Sequence, residues 1–367
     1  MRILHTGDLH FASPARAFSP RAARAREERG LAAFEQLLAT AAREGAELLL
    51  LAGDCFDSPT PDADTVRRFY RALAACGMPA VIAPGNHDYY RAGGFWDAIT
   101  PPENVYLFRE STLSYFDFPS LNLTVYGYAF TAEHMDAPAL PRASELVGAR
   151  TGVLLAHADL LSPLSPYAPL SAGALATSGL AYAALGHIHK PPEPRLCGKT
   201  LAAYCGFFAG RGFDETGAGG ALLVEIEGET VRQTRLLSTA DRFEICTVDC
   251  TGSRSAVEVR ARVADALKAK QYPIETALRV MLTGSVGLAC HPDTATLETL
   301  GAQYALFEVA DATLPIFDAA YLEKDPTLYG AFYRALLPRL QSADEQTRTV
   351  AAAALRLGLS ALSGKEV

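Results

Sequence analysis

Residues Leu48–Leu51 form an uninterrupted apolar run that stops at Gly53-Asp54. A strand with apolar side chains on both faces belongs inside a sheet that is covered on both sides. Gly53 lets the backbone turn sharply after the strand and approach a ligand closely. The run therefore predicts a layered α/β fold in which the carboxylate of Asp54 stands at the end of a buried strand.

The first part of the chain alternates between short apolar strands and helices. The predicted strands are Arg2–Thr6, Leu48–Leu51 and Ala80–Ile82, and the predicted helices run from Ser19-Pro20 to Gly45 and from Pro61 to Gly77. This alternation is typical of parallel α/β units. Ligand sites in such folds lie at the carboxyl ends of the strands. Polar residues that follow these strands are therefore candidate ligands.

Further strands are predicted downstream. Short alternating apolar runs between residues 100 and 130 indicate antiparallel strands. Two buried strands then end in histidine motifs, and a later strand ends in a hairpin turn; they are Val153–Leu155 before Ala156-His157, Tyr182–Leu185 before Gly186-His187-Ile188-His189, and Ala218–Ile226 before Glu227-Gly228. Five separate strands therefore end in residue types that bind metal ions.

The residues at these strand ends form one candidate site, and they include five of the eight histidines of the chain: Asp8, His10, Asp54, Asn86, His87, His157, His187 and His189. Carboxylates, an amide oxygen and imidazoles together suit borderline divalent ions such as Mn, Fe or Zn. The set exceeds what one ion needs, whereas two ions that share a carboxylate use it naturally. We expect Asp54 to be that shared carboxylate.

Two ions of this kind indicate hydrolysis of a phosphate ester. A histidine near the ions would then protonate the leaving group or stabilise the oxyanion. We assign this role to His87, with Asp88 orienting its ring. Each motif alone also fits an ordinary turn or a structural histidine. Their joint occurrence favours a site.

Composition limits the other classes of function. The 367 residues carry a formal net charge of −8, which argues against a broadly basic nucleic-acid surface. No signal peptide and no membrane-spanning apolar run is evident. The seven cysteines are scattered and odd in number, which indicates reduced thiols. We expect a cytoplasmic protein without a membrane partner.

A second α/β segment is predicted after residue 240. Its strands are Arg242–Val248, Ala277–Leu282 and Leu306–Val309, and a capping box at Ser255–Glu258 opens its helix. A helical region follows, with a second capping box at Ser342–Glu345. We therefore expect a domain at 1–240, a small α/β domain at 241–312 and a C-terminal helical segment at 313–367.

The motifs Asp8-Leu9-His10, Gly53-Asp54, Gly85-Asn86-His87-Asp88, Ala156-His157 and Gly186-His187-Ile188-His189 resemble, in order, those of calcineurin-like metallophosphoesterases. The resemblance covers residues 1 to about 240. Within that superfamily the chain is similar to SbcD/Mre11-type DNA repair exonucleases, and most to the YhaO-like branch. The continuation Gly-Asp-Cys-Phe-Asp, the loop from Gly206 to Gly217 and the following α/β segment carry this similarity.

The resemblance implies a four-layer αββα sandwich with a small α/β capping domain and C-terminal helices. It implies that one ion is bound by Asp8, His10 and His189, a second by Asn86, His157 and His187, with Asp54 between them and His87 as a catalytic residue that binds neither ion. Manganese is the expected metal, with iron or zinc as alternatives. DNA and an SbcC/Rad50-like coiled-coil ATPase are the implied partners, and a homodimer is a further implication.

Two questions stay open at this stage. Arg211 either contacts a phosphate backbone or pins a glycine-rich turn through a salt bridge. The whole chain is a DNA nuclease, a phosphoesterase for a nucleotide, phospholipid or phosphoprotein, or a catalytically silent scaffold for the ATPase. The acidic net charge favours the second class, and the intact ligand motifs oppose the third.

Overall fold

A computed structural model describes residues 1–14, 17–148, 150–287, 290–316 and 319–362. The chain divides into two compact units, Met1–Phe243 and Glu244–Val367. The break lies close to the expected one at residue 240. The second unit contains both the small α/β segment and the C-terminal helices.

The first unit contains two six-stranded sheets. The first sheet has the order β12-β11-β1-β2-β3-β4 and the second has the order β5-β6-β7-β8-β10-β9. Their strands are β1 (Arg2–Thr6), β2 (Leu48–Leu51), β3 (Ala80–Ile82), β4 (Val105–Leu107), β5 (Ser114–Phe118), β6 (Leu123–Gly127), β7 (Thr151–His157), β8 (Tyr182–Gly186), β9 (Arg195–Cys197), β10 (Thr200–Tyr204), β11 (Gly220–Glu227) and β12 (Thr230–Leu237).

Four α-helices are described in this unit: α1 (Pro20–Arg43), α2 (Ala63–Cys76), α3 (Phe95–Ala98) and α4 (Ala172–Thr177). The predicted start of α1 is confirmed, because Ser19 accepts a hydrogen bond from the amide of Ala22 ahead of Pro20. Asp62 caps α2, and Gly77 ends it in the left-handed conformation that glycine adopts without strain.

The leucine run of β2 packs on both faces, as predicted. Leu49 and Leu51 join the core beneath α1 and α2. Leu48 and Leu50 point the other way, into a core shared with the second sheet. A third core lies on the outer face of the second sheet, under α4. Each fully buried leucine contributes about 1.5–3 kcal/mol of hydrophobic stabilisation. The predicted sandwich of two sheets flanked by helices is confirmed.

Strand direction places the ligand motifs at common edges. Strands β1, β2 and β3 are parallel, and so are β7 and β8. The prediction of antiparallel pairing between residues 100 and 130 holds for β5 and β6. Strand β4, which was not predicted, pairs in parallel with β3. Strands β9 and β10 had no counterpart in the sequence prediction.

The second unit is built on a three-stranded sheet of order β13-β14-β16 with a two-stranded pair, β15 and β17. Its elements are β13 (Phe243–Asp249), α5 (Ala256–Lys270), β14 (Ala277–Thr283), β15 (Ser285–Val286), α6 (Thr294–Glu298), β16 (Leu306–Asp311), β17 (Leu314–Pro315), α7 (Ala319–Lys324), α8 (Leu328–Leu340) and α9 (Glu345–Leu362). Among the described residues, no helix is long and apolar enough to cross a membrane.

The two capping boxes of this unit have different outcomes. Ser255 caps α5 by accepting from the amide of Glu258, as predicted. The other half of the predicted box is shifted by one residue, because the Glu258 carboxylate accepts from the amide of Arg254. The box at Ser342 is wrong. The carboxylate of Asp344 accepts from the amide of Thr347 at 2.8 Å, while the Ser342 hydroxyl accepts from the amide of Asp344 at 3.2 Å.

Candidate metal centre

Strained backbone turns direct the candidate ligands toward one point. Asp8, His10 and Asp54 have positive φ angles of 47°, 47° and 48°, and His187 has one of 99°. Such angles cost of order 1–3 kcal/mol each in residues other than glycine, and they concentrate at functional sites. The loops after β1, β2 and β8 therefore hold side chains in positions that an unstrained turn would not give.

Three groups of donor atoms lie close together among the described residues. Within each group all donor atoms lie within 4.8 Å of one another; the groups are Asp8–His10–His189, Asp8–Asp54–His157 and His10–Asp57–His87. Six of the sequence-predicted residues appear in these groups. Asp57 joins them without having been predicted.

The first group brings the Nε2 atoms of two imidazoles close together. Nε2 of His10 lies 3.1 Å from Nε2 of His189. A carboxylate oxygen stands beside each ring: Oδ2 of Asp54 is 3.6 Å from His10, and Oδ1 of Asp8 is 3.6 Å from His189. Four donor atoms from three loops therefore surround one point.

Hydrogen bonds on the far side of these rings fix which nitrogen faces that point. Nδ1 of His10 is 2.9 Å from Oδ1 of Asp57, and Nδ1 of His189 is 2.6 Å from Oε1 of Glu215. With these nitrogens directed at the carboxylates, the Nε2 atoms of both rings face that point. Burial lowers the pKa of His189, but hydrogen bonds to Asp8 and Glu215 outweigh it and raise the pKa to about 10. The site favours a positive charge at this point.

The second group has the same character with different partners. Nε2 of His157 lies 2.9 Å from Oδ1 of Asn86 and 3.5 Å from Oδ2 of Asp54. Its Nδ1 lies 3.0 Å from the carbonyl oxygen of Ala52, to which it donates. The free lone pair of Nε2 then faces two oxygen acceptors. This arrangement of acceptors suits a bound cation.

His187 lies beside this group. Its ring centroid is 5.2 Å from that of His157, in an edge-on arrangement. Its backbone amide donates to both carboxylate oxygens of Asp8 at 3.1 Å. His187 is therefore near the second group, although none of the three close donor groups includes its ring.

Asp54 stands between the two groups. Its Oδ2 atom is the oxygen that approaches both His10 and His157, and its Oδ1 accepts from the amide of His87 at 2.9 Å. Paired metal ions in hydrolases typically lie about 3.5–4 Å apart and share a carboxylate. The donor chemistry and the central position of Asp54 fit two divalent ions.

His87 is oriented by Asp57, so the prediction for Asp88 needs correction. Nδ1 of His87 lies 2.9 Å from Oδ1 of Asp57, and the His87 side chain is 42% exposed. The hydrogen bond to Asp57 raises the pKa of His87 above its usual value.

Asp88 is fully buried instead. Its carboxylate accepts from the amides of Cys55, Phe56 and Gly85. Burial, followed by the charge of Asp54, raises the pKa of Asp88 to about 7. Asp88 ties the loop after β2 to the loop after β3, and it does not contact the ring of His87 as the sequence suggested.

Arg211 lies behind the first group. It forms salt bridges, as in the interpretation in which it pins a glycine-rich turn. Its guanidinium is 3.1 Å from Asp57 and 3.1 Å from Glu215. Sequence analysis missed Glu215 as a functional residue. The only signal for it was its position in the glycine-rich loop, four residues after Arg211.

Comparisons with known proteins agree with this geometry. The chain is 27% identical over 300 residues to "Uncharacterized metallophosphoesterase YhaO" of Bacillus subtilis, covering 78% of this chain and 72% of that protein. It is 27% identical over 257 residues to "DNA double-strand break repair protein Mre11" of Aeropyrum pernix, covering 62% and 58%. It is 25% identical over 257 residues to a component of the nuclease SbcCD of B. subtilis, covering 59% and 64%.

The match therefore spans less than two thirds of the length of the Mre11 and SbcCD relatives. A family model described as calcineurin-like phosphoesterase matches residues 1–191, which is more than half of this chain. These residues contain every predicted ligand, from Asp8 to His189. The chain belongs to the calcineurin-like phosphoesterase family, whose members are hydrolases of phosphoester bonds.

Proposed function

We propose that this protein is a two-metal phosphodiesterase that cleaves DNA, as a repair nuclease of the SbcD/Mre11 type. The observation that carries the hydrolytic part is the meeting of donors from five strand ends, with imidazole nitrogens and carboxylate oxygens facing one another. Isolated structural histidines would not share one carboxylate in this way. The name of the Mre11 relative supports the choice of DNA, and the name of the SbcCD relative supports a nuclease.

The proposed ligands are divided between two ions. Asp8, His10 and His189 hold the first, Asn86, His157 and His187 hold the second, and Asp54 lies between them. When bound, divalent ions at this centre acidify a water molecule and neutralise charge on the phosphoryl oxygens. Manganese is the proposed metal, since the mixed nitrogen and oxygen donors suit borderline ions.

His87 supplies a proton in this proposal. Its Nδ1 is held by Asp57, so Nε2 is the ring nitrogen available to a substrate oxygen. The partly exposed ring stands at the rim of the centre, with its centroid 5.0 Å from that of His10. From there Nε2 donates a proton to the leaving oxygen, or a hydrogen bond to the developing oxyanion.

The proposed partners follow the relatives. One relative is named as part of the SbcCD nuclease, so we propose that this chain also works with a coiled-coil ATPase and forms a homodimer. The proposed location is the cytoplasm. The net charge of −8 favours the alternative, a phosphoesterase for a nucleotide, phospholipid or phosphoprotein.

A paired hydrolysis assay tests the proposal. Purified protein with Mn²⁺ is given end-labelled linear double-stranded DNA in one reaction and bis(p-nitrophenyl) phosphate in another. Asp54→Asn is the control, because a contaminating nuclease would cleave equally in both preparations. We expect wild-type protein to degrade the DNA and the variant not to.

Each other outcome selects a different class. Cleavage of the small ester alone rejects DNA as the substrate and favours the general phosphoesterase. Binding of two ions with no hydrolysis of either substrate favours the scaffold. Metal analysis that finds fewer than one ion per chain after manganese loading rejects the two-ion centre itself.

A further inference from the structure

Both imidazoles of the first donor group are backed by carboxylates. Asp57 accepts from Nδ1 of His10 at 2.9 Å, and Glu215 accepts from Nδ1 of His189 at 2.6 Å. Both carboxylates are largely buried, with side chains 11% and 5% exposed. A carboxylate on the far nitrogen fixes the orientation of an imidazole and makes the near nitrogen a stronger electron donor.

Arg211 joins the two carboxylates. Its Nη1 donates to Oδ1 of Asp57 and its Nη2 donates to Oε1 of Glu215, each at 3.1 Å. The backbone amide of Arg211 also donates to Oε2 of Glu215, at 2.8 Å. Both oxygens of Glu215 are therefore occupied, and its carboxylate cannot rotate without breaking these bonds. The planar guanidinium of Arg211 thus fixes the relative positions of Asp57 and Glu215, which orient the ligands His10 and His189.

The second donor group has no such support among the described residues. The far nitrogen of His157 donates to a neutral carbonyl oxygen, that of Ala52. Its neighbour Asn86 is a neutral side chain. Asp8 and Asp54 stand beside both groups, whereas Asp57 and Glu215, joined by one guanidinium, lie behind imidazoles of the first group. The carboxylates that support ligand imidazoles are therefore concentrated on the first group.

We propose that Glu215, with Asp57 and Arg211, is a positioning residue that makes the Asp8–His10–His189 site the tighter of the two metal sites. The two ions then bind in a fixed order, first at this site and second at the site of Asn86, His157 and His187. This inference rests on the two-ion centre proposed above. Loss of such a support typically lowers metal affinity about 10–100-fold.

The test compares Glu215→Gln with Asp214→Asn. Both replace a carboxylate by an amide in neighbouring residues, but Asp214 is exposed and Glu215 is buried. Metal-free proteins are titrated with Mn²⁺ by calorimetry, and electron paramagnetic resonance reports whether bound ions are isolated or spin-coupled. We expect two binding steps in wild-type protein and in Asp214→Asn. In Glu215→Gln the tighter step should weaken about 10–100-fold while the weaker step is unchanged.

The outcomes separate this inference from the proposed function. If wild-type protein binds fewer than two ions, the two-ion centre fails and the inference fails with it. If wild-type protein binds two ions and Glu215→Gln titrates like Asp214→Asn, only the inference is overturned. Equal weakening of both steps also overturns it, since that is the effect of a general structural role.

A second variant keeps the test decisive if Glu215→Gln does not fold, as judged by circular dichroism in chelator. Arg211→Lys keeps the positive charge but removes the fork that spans Asp57 and Glu215. We expect it to weaken the tighter step alone, by less than the loss of Glu215 does. An unchanged titration of Arg211→Lys would in that case overturn the inference.

Discussion

His87 differs from His10 and His157 in the exposure of its ring. Its side chain is 42% exposed, whereas His10 and His157 are buried among donor atoms. An exposed ring at the rim of a buried donor set is placed to meet a substrate. Removing it should therefore affect turnover more than metal binding.

For His87→Ala we expect a fall in kcat of roughly 100-fold or more, because a proton or hydrogen-bond donor to the leaving oxygen is lost. Metal content should stay at the wild-type level, since Asp54 and Asn86 are retained. The measurement is steady-state hydrolysis together with metal analysis of the same preparation.

His291→Ala is the matched control for this prediction, because His291 is exposed and lies in the second unit. It should leave both quantities unchanged. Near-normal turnover of His87→Ala would remove His87 from the mechanism. A loss of metal in that variant would instead make it a ligand.

Sequence analysis found the candidate ligands but not the residues that orient them. Ligands stand next to strand ends, and short motifs such as Asp8-Leu9-His10 carry that information locally. The orienting contacts are distant in sequence: Asp57 lies 47 residues from His10, and Glu215 lies 26 residues from His189. Asp88 was assigned to His87 because the two are adjacent in the chain, although the Asp88 carboxylate accepts from backbone amides and the His87 ring is held by Asp57.

At the scale of elements, the ends of strands from different sheets come into close contact. Gly186, the last residue of β8, lies so near the end of β2 that a Cβ atom there would be 1.9 Å from the carbonyl oxygen of Ala52. The same carbonyl accepts from His157. Glycine at this position therefore lets the two sheets bring their ligand loops together.

We expect Gly186→Ala to lower the free energy of unfolding by about 1–3 kcal/mol, because the added methyl group overlaps backbone that cannot move freely. Denaturant unfolding of metal-free protein measures this without a contribution from bound ions. The variant should also bind Mn²⁺ more weakly, since the displaced carbonyl supports His157.

Gly30→Ala is the comparison. Gly30 lies within α1, and a Cβ atom there meets nothing closer than 3.9 Å. Alanine is favoured over glycine inside a helix by about 0.5–1 kcal/mol, so this variant should be unchanged or more stable. Equal stability of the two variants would show that the strand ends have room to separate.

Local patterns predicted buried strands and helix starts well, because each depends on residues that are close together in the sequence. Strand pairing was less predictable. The parallel pairing of β3 with β4 joins residues about 25 positions apart. The apolar pattern of one strand does not indicate which other strand it pairs with. The cap of α9 was misplaced because Ser342 and Asp344 both suit that role, and only the folded chain selects Asp344.

At the scale of the whole molecule, the first unit buries several carboxylates close together. Asp8, Asp54 and Asp88 are 1%, 2% and 0% exposed. Buried charges are costly unless they are paired or bind metal ions. Divalent ions at the centre should therefore stabilise the unit as well as support hydrolysis.

We expect chelation to lower the midpoint of thermal unfolding, and added Mn²⁺ to restore it. A ligand at about 100 times its Kd stabilises the folded state by about 2.7 kcal/mol per site. Differential scanning calorimetry with and without chelator checks this. Asp54→Asn should lose most of the increase, because Asp54 approaches both donor groups.

An equal response of wild-type protein and Asp54→Asn would contradict this expectation. It would show that Mn²⁺ acts elsewhere on the chain.

The alternation of strands and helices was enough to predict the layered fold, whereas the choice of metal and substrate depends on distances and contacts that composition does not encode.

The first sheet supplies Asp8, His10, Asp54 and Asn86 to the centre, while the second supplies His157, His187 and His189. In the proposed two-ion centre, cations bound by both sets would join the two sheets. Loss of these cations would weaken the contact between the two sheets at the edge that carries the ligands, even where the apolar core beneath is intact. A descendant of this chain that had stopped cutting phosphoesters could thus keep the whole ligand set for mechanical reasons alone.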